Sequence, residues 1–130
     1  MSIRRVVPNI KSKLLDESRA FYVDLLGFKV GMDMGFKVGM DMGFIVTLVS
    51  PDNPTAQISL LRDGEGSTTP YAHLSIEVAN VDEIHKRVIE RGLKIVYPLT
   101  DEPWGVRRFC VADPNGTVLN VMSRLNANQK

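Results

Sequence analysis

The stretch YAHLSIEVANVDEIHKRVIERG at residues 71–92 predicts a strand that leads directly into a helix. Residues 73–78 alternate between polar and apolar side chains, which is the period of a strand with two different faces. The apolar face carries Leu74, Ile76 and Val78, and the polar face carries His73, Ser75 and Glu77. We therefore look for function on the polar face.

After residue 79 the period changes to that of an amphipathic helix. Asn80 or Asp82 can cap its first turn, because a short side-chain oxygen accepts hydrogen bonds from the free amides there. The apolar stripe of this helix consists of Ile84, Val88 and Ile89. Gly92 can end the helix because glycine adopts a left-handed backbone without strain. His85, which precedes two basic residues, is predicted to be a solvated surface residue.

The same order of elements occurs earlier in the chain. Residues 3–11 predict a strand, Asp16 is a candidate helix cap, and Gly27 is a candidate stop. The apolar stripe of this first helix consists of Phe21, Tyr22, Leu25 and Leu26. Further strands are predicted at residues 45–50, 55–62, 94–97, 106–112 and 117–123.

Each half of the chain thus predicts a strand, a helix and three more strands, which is an internal repeat. The fold class that follows is α+β, with the helices on one side of the sheet. We predict a first βαβββ module at residues 1–62, a polar linker at 63–70, a second module at 71–125 and a frayed tail at 126–130.

Residues 28–35 and 36–43 are identical copies of FKVGMDMG, as DNA-level slippage or engineering would produce. An insert of even length leaves the two faces of the following strand unchanged. One unbroken strand through both copies would be roughly 53 Å long, far beyond the usual length. We expect one copy to join the sheet while the other loops out, or the two to pair as a hairpin. A Met-rich flap over a ligand is the functional alternative.

Composition indicates an ordinary globular protein with 44% hydrophobic and 24% charged residues. The net charge of +1 does not favour nucleic acid or an anionic membrane as a partner. There is no long apolar run, which predicts neither a membrane span nor a signal peptide. Cys110 is the only cysteine, so we predict no intrachain disulfide, a buried and inert thiol, and a cytoplasmic location.

Three segments together resemble the vicinal oxygen chelate superfamily: AFYVDLLGF at residues 20–28, HLSIEVANVDE at 73–83 and EPWGVRRFCVADPNGTVLNVM at 102–122. That superfamily includes glyoxalase I, extradiol dioxygenases, and fosfomycin- and bleomycin-resistance proteins. The resemblance covers the chain apart from the duplicated segment. It implies paired βαβββ modules that form a cup-shaped mixed sheet with helices on the outer face, completed in a homodimer.

In metal-using members of the superfamily, four ligands line the cup. The resemblance carries these positions onto Val7, Ser59, His73 and Asn120. Only His73 is a good ligand, and a zinc or other first-row metal site needs at least three imidazole, carboxylate or thiolate groups. We therefore predict no metal cofactor. The alternative is Zn, Ni, Mn or Fe held by an atypical set that includes His73 and Glu77.

The leading hypothesis is a metal-free protein that binds a small amphipathic or aromatic molecule in the cup. The predicted ligand-binding residues are His73, Asn120, Ser59, Trp104, Phe109, Asn9 and Glu77. Each has a structural alternative: His73 as a satisfied strand residue, Trp104 as a core plug, and Glu77 as the partner of an arginine. Of Arg107 and Arg108, only one can face the cup, where it could hold a carboxylate or phosphate.

Two other functions remain open at this point. One is a metal-dependent lyase, isomerase or ring-cleaving dioxygenase that uses His73 and Glu77. The other is a scaffold, natural or engineered, that carries the duplication and retains no activity.

Overall fold

The computed structural model describes residues 3–33, 45–62 and 71–125. Its strands are β1 (Ile3–Ser12), β2 (Lys29–Asp33), β3 (Ile45–Val49), β4 (Gln57–Arg62), β5 (Leu74–Val78), β6 (Ile95–Glu102), β7 (Val106–Ala112) and β8 (Val118–Arg124). Its helices are α1 (Leu15–Ala20), which continues as a π-helical segment (Phe21–Leu25), and α2 (Val81–Glu90). These strands, which pair in both parallel and antiparallel fashion, and the helices confirm the predicted α+β class. Among the described residues, no helix has the length and apolar character needed to cross a bilayer.

The chain divides into two compact units. The C-terminal unit comprises Met1–Val6 and Pro70–Lys130, and the N-terminal unit comprises Val7–Thr69. The proposed module boundary and the frayed tail stay predictions, because residues 63–70 and 126–130 lie outside the described residues.

In the C-terminal unit the strand order is β5-β8-β7-β6. Strand β5 runs parallel to β8, while β7 is antiparallel to both β8 and β6. One face of these strands packs against α2, and the core there consists of Val78, Val81, Val88, Phe109, Val111 and Val121. The predicted apolar face of β5 is confirmed, since Val78 belongs to this core and Ile76 packs against it. Side chains of opposite parity are therefore displayed on the other face of the same strands.

The ends of α2 follow the sequence signals. The Asn80 side chain caps the helix by accepting a hydrogen bond from the Glu83 amide at 3.3 Å. At the other end Gly92 has φ +67°, and the Leu93 amide donates to the Val88 carbonyl at 3.2 Å. Both predicted signals are confirmed, with Asn80 rather than Asp82 as the cap.

The apolar stripe of α2 differs from the prediction at one residue. Ile89 is 55% exposed, whereas Val81 in the first turn is buried. At about 100° per residue, Val81, Ile84 and Val88 share one face and Ile89 falls at its edge. The same face carries His85, which is half-buried with its ring 5.0 Å from the ring of Phe109. The prediction of a solvated His85 was therefore wrong.

In the N-terminal unit the order is β2-β3-β4-β1, with β1 parallel to β4. Leu15, Val46, Leu48 and Leu60 form its core, with Tyr22, Val23 and Phe28 packed against them. The predicted cap at Asp16 was wrong, because α1 already begins at Leu15 and no side chain caps it.

The predicted apolar stripe of the first helix was also largely wrong. Phe21, Leu25 and Leu26 are more than half exposed, and only Tyr22 of the four packs against the core. The chain widens here into a π-helix, whose hydrogen bonds join residues five apart. Apolar residues spaced for 3.6 residues per turn therefore do not all lie on one face of the π-helical segment.

The first copy of the duplicated segment supplies strand β2, which pairs with β3. This agrees with the expectation that one copy joins the sheet. The second copy, residues 36–43, lies outside the described residues.

Replacing the cap of α2 tests how much this helix depends on it. We expect Asn80→Ala to lower the free energy of unfolding by about 1 kcal/mol, because the Glu83 amide loses its acceptor. Asn80→Asp keeps a side-chain acceptor and should restore most of the loss, and Lys86→Ala on the exposed face serves as the control. Urea unfolding measures all three, and equal stability of Asn80→Ala and the parent would contradict this role for Asn80.

Candidate functional site

Strand register brings polar residues from distant parts of the sequence together on one face of the C-terminal unit. Ser75 lies opposite Asn120, which lies opposite Cys110 on its other side. In the next row Met122 lies between Glu77 and Arg108. We call this surface, opposite the α2 core, the polar face.

Arg108 is the centre of the polar face. The residue is only 6% exposed, and its Nε donates to Oε2 of Glu102 at 2.7 Å. Nη1 donates to Oδ1 of Asn120 at 3.1 Å, and the guanidinium lies 4.4 Å from the ring centroid of Tyr97. Tyr97 in turn donates its hydroxyl to the same Glu102 oxygen at 2.9 Å. Three side chains therefore fix the orientation of one buried cation.

Two atoms of this network remain able to form a hydrogen bond with a ligand. Among the described residues, no hydrogen-bond partner is found for Nη2 of Arg108 or Oε1 of Glu102. No buried side-chain nitrogen or oxygen of these residues lacks a partner. Both atoms therefore reach solvent, one as a donor and the other as an acceptor.

Asn120 extends the network to β5. Its Nδ2 donates to Oγ of Ser75 at 3.1 Å, while its Oδ1 accepts from Arg108. The amide is thus held from both sides, which assigns its oxygen to the arginine. Asn120 is half-buried, and the structure brings it together with Ser75 and Arg108 on the polar face.

Cys110 contacts the same network, with Nη1 of Arg108 3.7 Å from its Sγ, and is fully buried, as predicted. Burial raises the pKa of the thiol, while the positive charge of Arg108 acts in the opposite direction. The net result is a thiol that stays protonated at neutral pH, which does not suit a nucleophile.

Glu77 is a buried carboxylate that two arginines neutralise. Arg5 donates from Nε to Oε1, and Arg124 lies 3.3 Å from Oε2. The residue is only 6% exposed. The structure therefore favours the alternative given above, in which Glu77 pairs with an arginine instead of contacting a ligand directly.

His73 precedes β5 and is exposed. Its Nδ1 accepts from the Val118 amide at 3.2 Å, and its own amide donates to the Val118 carbonyl at 2.9 Å. Its ring meets that of Tyr71 edge-on at 5.0 Å. These contacts leave Nε2 as the ring nitrogen available to another group.

The two predicted aromatic ligand contacts differ in position. Phe109 is fully buried in the α2 core, on the face of β7 opposite Arg108, so its predicted contact with a ligand was wrong. Trp104 is half-buried in the turn between β6 and β7. Tyr97 is the aromatic residue that belongs to the polar face, and it was not predicted.

The remaining predicted site residues belong to the N-terminal unit. Asn9 on β1 lies opposite Ser59 on β4, so the structure brings these two together. Ser59 is buried, and its hydroxyl lies 3.2 Å from that of Thr47. Val7 is buried as well and offers no ligand atom.

The chain matches the family of glyoxalase-like domains over residues 6–126. It belongs to that family. Solved structures of similar fold include a glyoxalase/bleomycin resistance protein/dioxygenase superfamily member of Vibrio splendidus, with 20% identity over 94% of this chain and 99% of that one and a TM-score of 0.68. A hypothetical protein of Bacillus halodurans has 16% identity, 97% coverage of both chains and a TM-score of 0.77.

Methylmalonyl-CoA epimerase of Mycobacterium tuberculosis is a further structural neighbour of this glyoxalase-like domain, with 18% identity, 95% and 88% coverage and a TM-score of 0.69. These findings confirm the resemblance to the vicinal oxygen chelate superfamily. No curated protein matches the chain.

A metal ion does not fit the donor set of this glyoxalase-like domain. Within residues 3–33, 45–62 and 71–125, no group of three or more His, Cys, Asp or Glu side chains is placed to hold one. The two buried carboxylates, Glu77 and Glu102, are each bound to arginine. His73 is therefore without the partners that a divalent cation needs.

Arg107 and Arg108 face opposite sides of β7, as predicted. Arg107 binds Asp101 through two nitrogens and Asp82 at 3.0 Å, and all three side chains are partly exposed. The hydrogen bonds from Arg107, together with its positive charge, hold the pKa of Asp101 below its usual value. The segment TDEPWGVRR carries the signal for both pairs, since two acids and two arginines flank one turn symmetrically. That symmetry could have identified Glu102.

Breaking the buried ion pair tests its place in the fold. We expect Glu102→Leu to lower the free energy of unfolding by about 3 kcal/mol, because Arg108 becomes an uncompensated buried charge. Adding Arg108→Met should recover most of this loss, because two apolar side chains then replace the pair. Asp101→Asn, in the exposed pair beside it, should have a smaller effect. Chemical denaturation measures these differences, and a neutral Glu102→Leu would show that Arg108 is not held as described.

Proposed function

We propose that this glyoxalase-like domain binds a small amphipathic or aromatic molecule on the polar face without a metal ion. The observation that carries this proposal is Arg108, a buried guanidinium fixed by protein partners with Nη2 still accessible. A donor that is already oriented costs little conformational entropy when a ligand engages it. Specific ligand sites combine an apolar wall with a few such polar groups, and Tyr97 and Met122 supply apolar surface here.

The charge balance of the site indicates the kind of polar group that would bind. Arg108 and Glu102 neutralise one another, so the pair attracts no particular sign of charge. An acceptor on the ligand matches Nη2 of Arg108, and a donor beside it matches Oε1 of Glu102. We infer that an uncharged amide or hydroxy-carbonyl group on an aromatic body suits the site better than a carboxylate, because a carboxylate has no donor for Oε1 of Glu102.

The structural neighbours support a small-molecule role in general terms. The methylmalonyl-CoA epimerase of Streptomyces coelicolor, 18% identical to this chain, is solved in complex with 2-nitronate-propionyl-CoA. At that identity the likeness extends to the fold, and the residues of the polar face argue for the ligand of this chain. The proposal also includes a cytoplasmic location and a homodimer, for which the exposed apolar side chains of Phe21, Leu25 and Leu26 offer surface.

Thermal shift with matched aromatic amides and aromatic acids, in the presence of EDTA, tests the proposed binding. We expect amides to raise the melting temperature more than the acids of the same ring system, because an amide matches both Nη2 of Arg108 and Oε1 of Glu102. Tighter binding to the native state stabilises it more. The double variant Arg108→Met with Glu102→Leu should lose this rise while still folding. Arg107→Gln, on the opposite face of the same strand, should keep it.

Two results would contradict the proposal. One is an equal rise in the double variant and the parent protein. The other is binding that EDTA abolishes and added Zn²⁺ restores.

A further inference from the structure

Arg124 ends strand β8 and lies on the same face of that strand as Asn120 and Met122. Its side chain is 66% exposed, and its Nε lies 3.3 Å from Oε2 of Glu77. We propose that Arg124 forms an anion-binding subsite on the polar face, so that the ligand also carries a carboxylate or a phosphate. The subsite rests on the proposed function, in which the amide end of the same ligand binds elsewhere on this face.

Two guanidinium groups compete for the single negative charge of Glu77. Arg5 donates from Nε to Oε1 of this buried carboxylate, and the Arg5 side chain is itself largely buried. Arg124 lies at the other oxygen, with most of its side chain in solvent. An ion pair with such an exposed partner is weak, because water screens the charge. Glu77 therefore stays bound to Arg5, and Arg124 keeps a positive charge that this carboxylate does not fully neutralise.

The contact with Glu77 leaves Nη1 and Nη2 of Arg124 for another group. Among the residues that the structure describes, neither nitrogen forms a hydrogen bond, and Glu77 is the only acid within ion-pair distance of Arg124. The two N–H groups along this edge of a guanidinium match two oxygens of a carboxylate or phosphate. A bound oxyanion also offsets the repulsion between Arg124 and Arg5, which lie at the two oxygens of one carboxylate.

The register of β6, β7 and β8 fixes the spacing between this subsite and the amide end of the ligand. Arg124 lies opposite Val106, which in turn lies opposite Glu102. Arg108 lies opposite Met122, so Arg108 and Arg124 are diagonal neighbours with Cα atoms roughly 7–8 Å apart. The residues between the two ends, Val106 and Met122, are apolar. One aromatic ring with an amide at one end and an anionic group at the other matches this spacing.

The two ends of the polar face differ in charge. Arg108 is neutralised by Glu102 at 2.7 Å, and both side chains are buried. Arg124 is exposed and shares its carboxylate with another arginine. The first end therefore selects an uncharged group, and the second selects a negative charge. An aromatic acid without an amide engages Arg124 alone, which is the weaker contact because solvent and salt screen it.

Isothermal titration with matched ligands tests the subsite. Para-carbamoylbenzoate carries an amide and a carboxylate on one ring, whereas terephthalamide carries two amides on the same ring. We expect the parent protein to bind para-carbamoylbenzoate about fivefold more tightly at low salt, as one additional exposed ion pair would give. This preference should fall as added salt screens the charge. Para-carbamoylphenyl phosphate, measured beside them, shows whether a phosphate binds more tightly than a carboxylate.

Arg124→Gln removes the charge and keeps a polar side chain. We expect this variant to bind both ligands equally, with an affinity for terephthalamide within about twofold of that of the parent protein. Arg87→Gln is the matched control, because Arg87 on α2 is also exposed and lies 3.3 Å from an acid, Glu83. The control should keep the full preference. Arg5 is left unchanged, because its loss would deprive the buried Glu77 of its closer partner.

The outcomes separate the subsite from the proposed function. Equal binding of terephthalamide and para-carbamoylbenzoate, or a preference that persists in Arg124→Gln, would overturn the subsite and leave the proposed function standing. Binding of para-carbamoylbenzoate that is lost in Arg124→Gln but kept in the double variant Arg108→Met with Glu102→Leu would support the subsite and contradict the proposed function. Failure of both ligands to bind the parent protein would overturn both.

Discussion

A buried guanidinium must be neutralised where it lies, and this constraint organises the polar face. Arg108 meets it with Glu102 across the β6–β7 hairpin, Asn120 on β8 and the ring of Tyr97. Removing two charges from water is costly unless their geometry and remaining hydrogen bonds are satisfied. The network satisfies the hydrogen-bonding groups of Arg108 and Glu102 almost completely. Nη2 of Arg108 and Oε1 of Glu102, which reach solvent, remain able to bond to a ligand. We propose that recognition on this face depends on shape and hydrogen bonds.

Most of the C-terminal unit could be predicted because local signals agree with the tertiary packing. The alternation in residues 73–78, the cap at Asn80 and the stop at Gly92 all correspond to observed geometry. The predicted apolar stripe of the first helix was wrong because a π-helical segment follows α1. Nothing in the apolar spacing distinguishes a π-helix from an α-helix. The prediction that Ile89 is part of the buried stripe of α2 was wrong because this residue lies at the margin of the face that contains Val81.

Site residues were predicted where the pattern of one strand or the family resemblance was sufficient to place them. The opposite orientations of Arg107 and Arg108 follow from alternation within a strand, and Asn120 follows from the resemblance. Tyr97 was not predicted, because its proximity to Arg108 depends on the register between β6 and β7, which shifts twice between Ile95 and Thr100. Glu102 was not predicted either, although the symmetry of acids and arginines around the turn could have identified it. The same alternation places Phe109 in the core once Arg108 lies on the polar face, so the contact of Phe109 with a ligand could have been excluded from the sequence. Glu77 shows how two interpretations of one residue are separated by its partners, Arg5 and Arg124.

We propose that this face recognises a ligand without a cation, since arginines already occupy its carboxylates. Isothermal titration of chelator-treated protein with Zn²⁺, Mn²⁺ and Ni²⁺ at neutral pH measures this directly. We expect no one-to-one binding with a Kd below about 1 μM for any of the three ions. A saturable one-to-one site of that affinity, lost in His73→Ala, would contradict it.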